Sequence, residues 1–199
     1  MPVVVIDDAK DAAPTAEALL AGGVGVMEVT LRTEAGIGAI SNAAHGFPGL
    51  CLGAGTVLTV DQAKRAVDAG ARFIVSPGFD AELVRWCLEH NVAVTPGCVT
   101  PTEITAAMAM GLNVLKFFPA NIYGGITAIK ALAAPFRGVR FIPTGGISAK
   151  NLSEYAASPF VLAVGGSWMC AKADIAAGNF DKITALCREA RAIVQEARA

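Results

Sequence analysis

Lys116 is the strongest candidate for a reactive residue, because it is the only one of seven lysines that lies inside an apolar segment. Burial disfavours the ammonium form, lowers the pKa of a lysine and leaves a neutral, nucleophilic amine. Such an amine can attack a carbonyl and form a Schiff base. The residues alone leave one alternative open, a structural lysine paired with a carboxylate inside the core.

A second chemical set lies in the apolar segment 24–32. Strand alternation places Glu28, Thr30 and Arg32 on one face, and the opposite face is apolar. Glu28 in a partly dry site would be a competent proton shuttle, and Arg32 can bind a carboxylate through two hydrogen bonds. An internal Glu28–Lys116 ion pair with no chemistry stays open as the alternative.

Two glycine pairs suggest a site for a small anion. Gly145-Gly146 and Gly165-Gly166, the latter followed by Ser167, each come directly after an apolar run. Glycine lets backbone N–H groups approach an oxyanion, and a following helix N-terminus would favour negative charge. Neither a P-loop nor a Gly-x-Gly-x-x-Gly motif opens a helix, so a small phosphate is favoured over a nucleotide.

The segments that must position these residues repeat one strand–helix unit. Apolar runs alternate with Ala-rich segments of helical period at a spacing of about 20 to 27 residues. The runs begin near Pro2, Val24, Cys51, Arg72, Val92, Asn113, Val139 and Val161. Eight units in about 200 residues predict a (β/α)8 TIM barrel formed by residues 1–199 as a single domain. A doubly wound sheet is the alternative, but no Gly-rich loop follows the first run. In a barrel the chemistry belongs at the carboxyl ends of the strands, where most polar residues of the apolar runs lie.

The amino-acid composition disfavours several classes of function. The chain has 199 residues, 54% hydrophobic and 17% charged, with a formal net charge of −1. That balance disfavours nucleic acid as a partner, and no apolar stretch reaches the length of a membrane span. Five scattered cysteines and the lack of a signal peptide predict reduced thiols and a cytoplasmic location. Two histidines offer little for a metal site.

The motifs together resemble one family along essentially the whole chain, the class I 2-keto-3-deoxy-6-phosphogluconate (KDPG) aldolases. The carriers are Glu28-Val-Thr-Leu-Arg-Thr33, Gly53-Ala-Gly-Thr-Val-Leu58, Ser76-Pro-Gly78, Lys116-Phe-Phe-Pro-Ala120, Pro143-Thr-Gly-Gly-Ile147 and Gly165-Gly-Ser-Trp168. The resemblance implies cleavage of the phosphorylated keto acid to pyruvate and glyceraldehyde 3-phosphate, in the Entner–Doudoroff pathway of carbohydrate metabolism. It also implies that 4-hydroxy-2-oxoglutarate is a second substrate.

The resemblance assigns roles residue by residue. It implies that Lys116 is the Schiff-base lysine and Glu28 the general acid and base. The resemblance also implies that Arg32, Thr56 and Pro77 line the pyruvate end of the substrate, and that Thr144 influences the stereochemical choice at C4. The implied phosphate-binding residues are Gly145, Gly146, Gly166 and Ser167. It further implies a homotrimer that needs no metal or other cofactor.

Two departures and three alternatives accompany the resemblance. Family members usually carry a short helix before strand 1, which this barrel is expected to lack, and Asn121 stands where glutamate is common. The closest rival substrate is the galactonate epimer, 2-dehydro-3-deoxy-6-phosphogalactonate. A phosphosugar isomerase or epimerase would use Glu28 as base without a covalent bond. A catalytically silent interaction module would need neither Glu28 nor Lys116.

Overall fold

The computed structural model describes residues 1–199 and contains seven parallel strands alternating with helices. The strands are β1 (Val3–Val4), β2 (Val26–Thr30), β3 (Cys51–Gly55), β4 (Phe73–Val75), β5 (Ala93–Thr95), β6 (Val114–Phe117) and β7 (Arg140–Pro143). The helices are α1 (Ala12–Ala21), α2 (Gly36–Gly46), α3 (Val60–Asp68), α4 (Ala81–Glu89), α5 (Pro101–Ala109), α6 (Gly125–Ala133), α7 (Leu152–Ala156), α8 (Lys172–Ala176) and α9 (Phe180–Arg198). Two 3-10 turns, Ala9–Asp11 and Trp168–Cys170, complete the elements.

The strands form a ring. β1 to β5 pair in sequence order as one parallel sheet, and β6 pairs with β7. A bridge between Gly97 and Lys116 connects the two sheets, and the segment 161–166 completes the ring. In that segment Val161 bridges β7, Gly165 bridges the residue directly after β7, and Gly166 bridges Pro2 beside β1. The predicted barrel architecture is therefore confirmed.

The eighth predicted strand differs from the other seven, because it pairs only through isolated bridges. Its neighbour β7 ends at Pro143, which has no N–H to donate and only accepts a hydrogen bond, from Gly165 N at 2.8 Å. Gly165 and Gly166, at the end of the eighth segment, have no side chains to pack on a sheet face. The apolar run was visible in the sequence, but the pairing pattern depends on the facing proline.

Residues that cap helices mark the helix ends, as their positions in the sequence predict. Thr59 caps α3 by accepting a hydrogen bond from Gln62 N. Thr100 and Glu103 form a capping box at the start of α5. Gly70 and Gly111 follow α3 and α5 with φ of 108° and 86°, a backbone region that glycine enters without strain.

The last helix, α9, is tied to the ends of earlier helices by arginines. Arg188 donates to the Ala21 carbonyl at the end of α1, and Arg191 donates to the Gly23 carbonyl at 2.8 Å. Arg198 donates to the Ala156 carbonyl, the last residue of α7. These bonds satisfy carbonyl groups that a helix end leaves without partners. No helix in the structure has the length and apolar character needed to cross a membrane.

Candidate active site

Glu28 and Lys116 meet inside the barrel. Glu28 lies on β2 and Lys116 on β6, and their side chains are 0% and 3% exposed. Lys116 Nζ is 3.5 Å from Glu28 Oε1, at the outer limit of a hydrogen bond. Apart from this long contact with Lys116, neither carboxylate oxygen has a hydrogen-bond partner in the structure. A buried carboxyl group with so few partners is costly, so its retention beside a buried lysine points to a chemical use.

Burial shifts the two groups toward their neutral forms. It lowers the pKa of Lys116, while the nearby Glu28 carboxylate opposes that change and the Arg32 charge reinforces it. Burial also raises the pKa of Glu28, against the attraction of Lys116. The two pKa values therefore approach each other, and the pair is one proton transfer away from a neutral amine beside a neutral acid. The arrangement suits a nucleophile with a proton shuttle at its side.

Gly55 on β3 leaves the space that the Glu28 carboxyl group fills. Thr30 and Gly55 are register partners, which brings the inner faces of β2 and β3 together. A methyl group at Gly55 would lie 2.7 Å from Glu28 Cγ and Cδ and nearer still to Oε1, whereas ordinary contact begins at 3.4 Å. The Glu28 carboxyl group can therefore lie in this position only because residue 55 has no side chain.

Arg32 and Thr56 meet at the carboxyl ends of β2 and β3. Arg32 Nε donates to Thr56 Oγ1 at 3.2 Å, and Arg32 is exposed to solvent. Thr56 has a φ of 58°, an unusual conformation for a β-branched residue. Strained residues of this kind cluster at functional sites. The pair places a cation and a hydroxyl at the mouth of the barrel, where a carboxylate could bind.

A cavity of about 180 Å³ continues from Arg32 toward the glycine pairs. It is lined by Val3, Arg32, Phe118, Thr144, Gly145, Gly146, Ile147, Gly166 and Ser167. Six of the ten predicted site residues thus surround one space. Gly145 and Gly146 have φ of 97° and 70°, so their glycine identity is required by the backbone itself.

The expected helix N-termini at this cavity are short elements. Only one 3-10 turn, Trp168–Cys170, follows Ser167, and five residues separate Gly146 from the five-residue helix α7. The dipole of so short an element is small, so backbone N–H groups, and not a helix dipole, are the main anion-binding groups that the glycine pairs supply. This corrects the sequence-based expectation of helix-dipole support.

Pro77 lies in a neighbouring cavity of about 280 Å³ at the carboxyl end of β4. Its carbonyl group packs against the α carbon of Gly97, where no side chain would fit. Gly97 in turn bridges Lys116. Pro77 follows β4 and Lys116 lies on β6, so only β5 separates them. Pro77 and Thr56 lie on the same side of the barrel.

Two residues of the site had been given no role from the sequence. Strand alternation puts Phe118 on the same face as Lys116, and the centroid of its ring lies 5.0 Å from Lys116 Nζ. Gly55 lies in the Gly53–Leu58 motif, but only the register of β2 and β3 places it against Glu28. Strand alternation in the sequence is enough to place Phe118 beside Lys116, whereas no local sequence pattern indicates that Gly55 contacts Glu28.

Other candidate groups stay apart from this site. Cys98 is buried, and burial raises the pKa of its thiol to about 12. No group of three or more His, Cys, Asp and Glu side chains lies close enough together to hold a metal ion. A further cavity of about 290 Å³, lined mainly by apolar residues, lies at the amino ends of the strands and contains none of the predicted site residues.

Comparisons with known proteins show the family to which the chain belongs. The family model described as KDPG and KHG aldolase matches residues 1–186. The 2-dehydro-3-deoxy-phosphogluconate aldolase of Treponema pallidum is 50% identical over 98% of this chain and 92% of its own. The KHG/KDPG aldolase of Escherichia coli is 45% identical over 96% of this chain and 89% of its own.

A solved structure has the same fold. The KDPG aldolase of Legionella pneumophila, with pyruvate captured as a covalent carbinolamine intermediate, superposes with a TM-score of 0.91. The two chains are 45% identical, and the match covers 94% of this chain and 91% of the other. The chain belongs to the KDPG and KHG aldolase family, and it is a lyase.

Proposed function

We propose that this protein is a class I aldolase that cleaves 2-dehydro-3-deoxy-6-phosphogluconate to pyruvate and glyceraldehyde 3-phosphate. The observation that carries the proposal is the buried contact of 3.5 Å between Lys116 and Glu28 inside the barrel. The names of relatives that are 45% to 50% identical over almost the whole chain support the substrate. The same chemistry extends to 4-hydroxy-2-oxoglutarate, which would yield pyruvate and glyoxylate.

In the proposed reaction, neutral Lys116 attacks the C2 ketone to give a carbinolamine. Neutral Glu28 donates its proton to the carbinolamine hydroxyl, which leaves as water and leaves a protonated Schiff base beside the Glu28 carboxylate. Glu28 takes the proton of the C4 hydroxyl as the C3–C4 bond breaks, and the bond's electron pair passes to the iminium nitrogen. The aldehyde leaves, the enamine carbon is protonated, and water releases pyruvate from Lys116. The lowered pKa of Lys116 supports its role as the nucleophile.

Separate groups at the mouth of the barrel are proposed to bind the two ends of the substrate. Arg32 and Thr56, joined by their hydrogen bond, are proposed to hold the carboxylate, with Pro77 beside them. Gly145, Gly146, Gly166 and Ser167 are proposed to bind the distal phosphate. Thr144 Oγ1 is buried without a partner and lines the same cavity, which supports contact with the substrate between the two ends.

The assembly, the location and the pathway are proposed from the resemblance to the family. We propose a homotrimer in which each chain is one barrel domain, working in the cytoplasm in the Entner–Doudoroff pathway. The proposed chemistry needs no cofactor, because Lys116 itself supplies the electron sink once the Schiff base has formed. Analytical ultracentrifugation tests the assembly, and a monomer under conditions of full activity would contradict it.

Steady-state cleavage assays test the activity. Pyruvate release should be measured for the gluconate phosphate, its galactonate epimer and 4-hydroxy-2-oxoglutarate, with parent protein and a Lys116→Met variant. Lys130→Met is the matched control, because Lys130 is exposed on α6. We expect the parent protein to turn over the gluconate phosphate fastest. Lys116→Met should lose all cleavage activity, and Lys130→Met should keep the activity of the parent. Faster turnover of the galactonate epimer would reverse the substrate assignment. Retained cleavage in Lys116→Met would refute the covalent mechanism.

A further inference from the structure

Phe118 presents the face of its ring to the nitrogen of Lys116. The ring centroid is 5.0 Å from Lys116 Nζ, within the distance at which a cation and an aromatic face attract each other. Phe118 is half-buried and lines the cavity that also contains Arg32 and Thr144. The contact therefore lies at the reacting atom of the proposed mechanism and not at a remote packing site.

The charged groups that act on Lys116 come from one strand and the turn after it. Glu28 on β2 favours the protonated amine, and Arg32 beyond the end of β2 disfavours it. Of the strands that flank β6, β5 has no ionisable side chain, and β7 has only the exposed Arg140. Besides Glu28, the Phe118 ring is thus a group at Lys116 that can attract a positive charge.

We infer that Phe118 is a further catalytic residue, whose ring face stabilises the positive charge that develops on the Lys116 nitrogen. The inference rests on the proposed Schiff-base function. When the amine lone pair bonds to C2 and the carbinolamine expels its oxygen as water, the nitrogen becomes a cationic iminium. That nitrogen stays attached to Lys116 and therefore within reach of the ring. A cation–π contact of this kind favours both the ammonium and the iminium over their neutral forms.

The chain supplies its own control in the adjacent phenylalanine. Phe117 is fully buried and packs edge-on against Phe141, with ring centroids 5.9 Å apart. Strand alternation turns Phe117 away from the face of Lys116 and Phe118. The same chemical change at positions 117 and 118 therefore separates an effect on the cation from a general effect of altering a buried ring.

The test replaces each phenylalanine in turn with phenylalanines that carry one, two and three ring fluorines. Fluorine weakens the negative ring face with little change of shape. Pyruvate is added across a pH series, and borohydride transfers hydride to C2 of the iminium, which leaves a stable secondary amine on Lys116. The rise of adduct with pH reports loss of the proton from the amine, and its fall reports loss of the proton from the Schiff base.

Stepwise fluorination at Phe118 should move both midpoints to lower pH, because each cation loses stabilisation. Complete loss of the contact, as in Phe118→Leu, should shift them by about 0.4 to 1.5 pH units. Fluorination at Phe117 should leave both midpoints in place. Unshifted midpoints at Phe118, or equal shifts at both positions, would overturn the inference while leaving the aldolase proposal intact. Absence of any Lys116 adduct in the unmodified protein would refute both.

Discussion

Substituting alanine for Gly55 should slow the reaction by displacing the Glu28 carboxyl group, although both reacting side chains are kept. The new methyl group would lie 2.7 Å from Glu28 Cγ and Cδ, where ordinary contact begins at 3.4 Å. The carboxyl group must then move by about 0.7 Å or more, away from a position 3.5 Å from Lys116 Nζ. A misplacement of about 1 Å can cost roughly 100-fold in rate, so we expect kcat to fall by about that factor.

The assay is steady-state cleavage of the phosphorylated substrate, together with reductive trapping of pyruvate. Trapping on Lys116 should persist in Gly55→Ala, because Lys116 itself is not displaced. Gly25→Ala is the matched control, since a methyl group there meets nothing within 4 Å. Circular dichroism establishes that both variants are folded. A folded Gly55→Ala variant with kcat within about threefold of the parent would refute the reasoning, because the predicted displacement then has no catalytic consequence.

Four further predictions concern the same site. Glu28→Gln should lower kcat by about two to four decades while trapping persists, and steady-state kinetics would expose near-normal turnover as a contradiction. Gly146→Ala, at a φ of 70° and against Asn121, should raise KM for the phosphorylated substrate about tenfold, with 4-hydroxy-2-oxoglutarate much less affected. Burial lowers the pKa of Lys116, so the trapped adduct should rise with pH at a midpoint below the ordinary lysine pKa of about 10.4, and a midpoint at or above that value would contradict the burial argument. Exhaustive chelation should leave cleavage undiminished, and activity restored only by a divalent cation would contradict the mechanism.

Much of the barrel could be predicted from the sequence because its signals are local. Parallel strands covered on both faces are apolar throughout, and capping residues such as Thr59 and Thr100 mark where helices begin. Lys116 was identifiable by the same logic, since a lone charge in an apolar run is costly. These features depend on a few neighbouring residues and need no knowledge of the tertiary structure.

The rest depended on contacts between distant segments. The slot for Glu28 requires the register of β2 against β3, which sets Thr30 opposite Gly55. The incomplete pairing of the segment 161–166 follows from Pro143 on the neighbouring strand. The short 3-10 turn after Ser167, in place of a longer helix, leaves a much smaller dipole than the glycine pairs alone suggested. Periodicity within one segment carries no information about such pairings.

The central claim is that Lys116 forms a covalent Schiff base beside a buried Glu28. Borohydride reduction in the presence of pyruvate, followed by mass mapping of the digested protein, tests it most directly. The account predicts a reduced pyruvyl adduct on Lys116 and on no other lysine, and its absence in Lys116→Met. A folded protein that binds pyruvate and gives no adduct, or one whose adduct lies on another lysine, would contradict it.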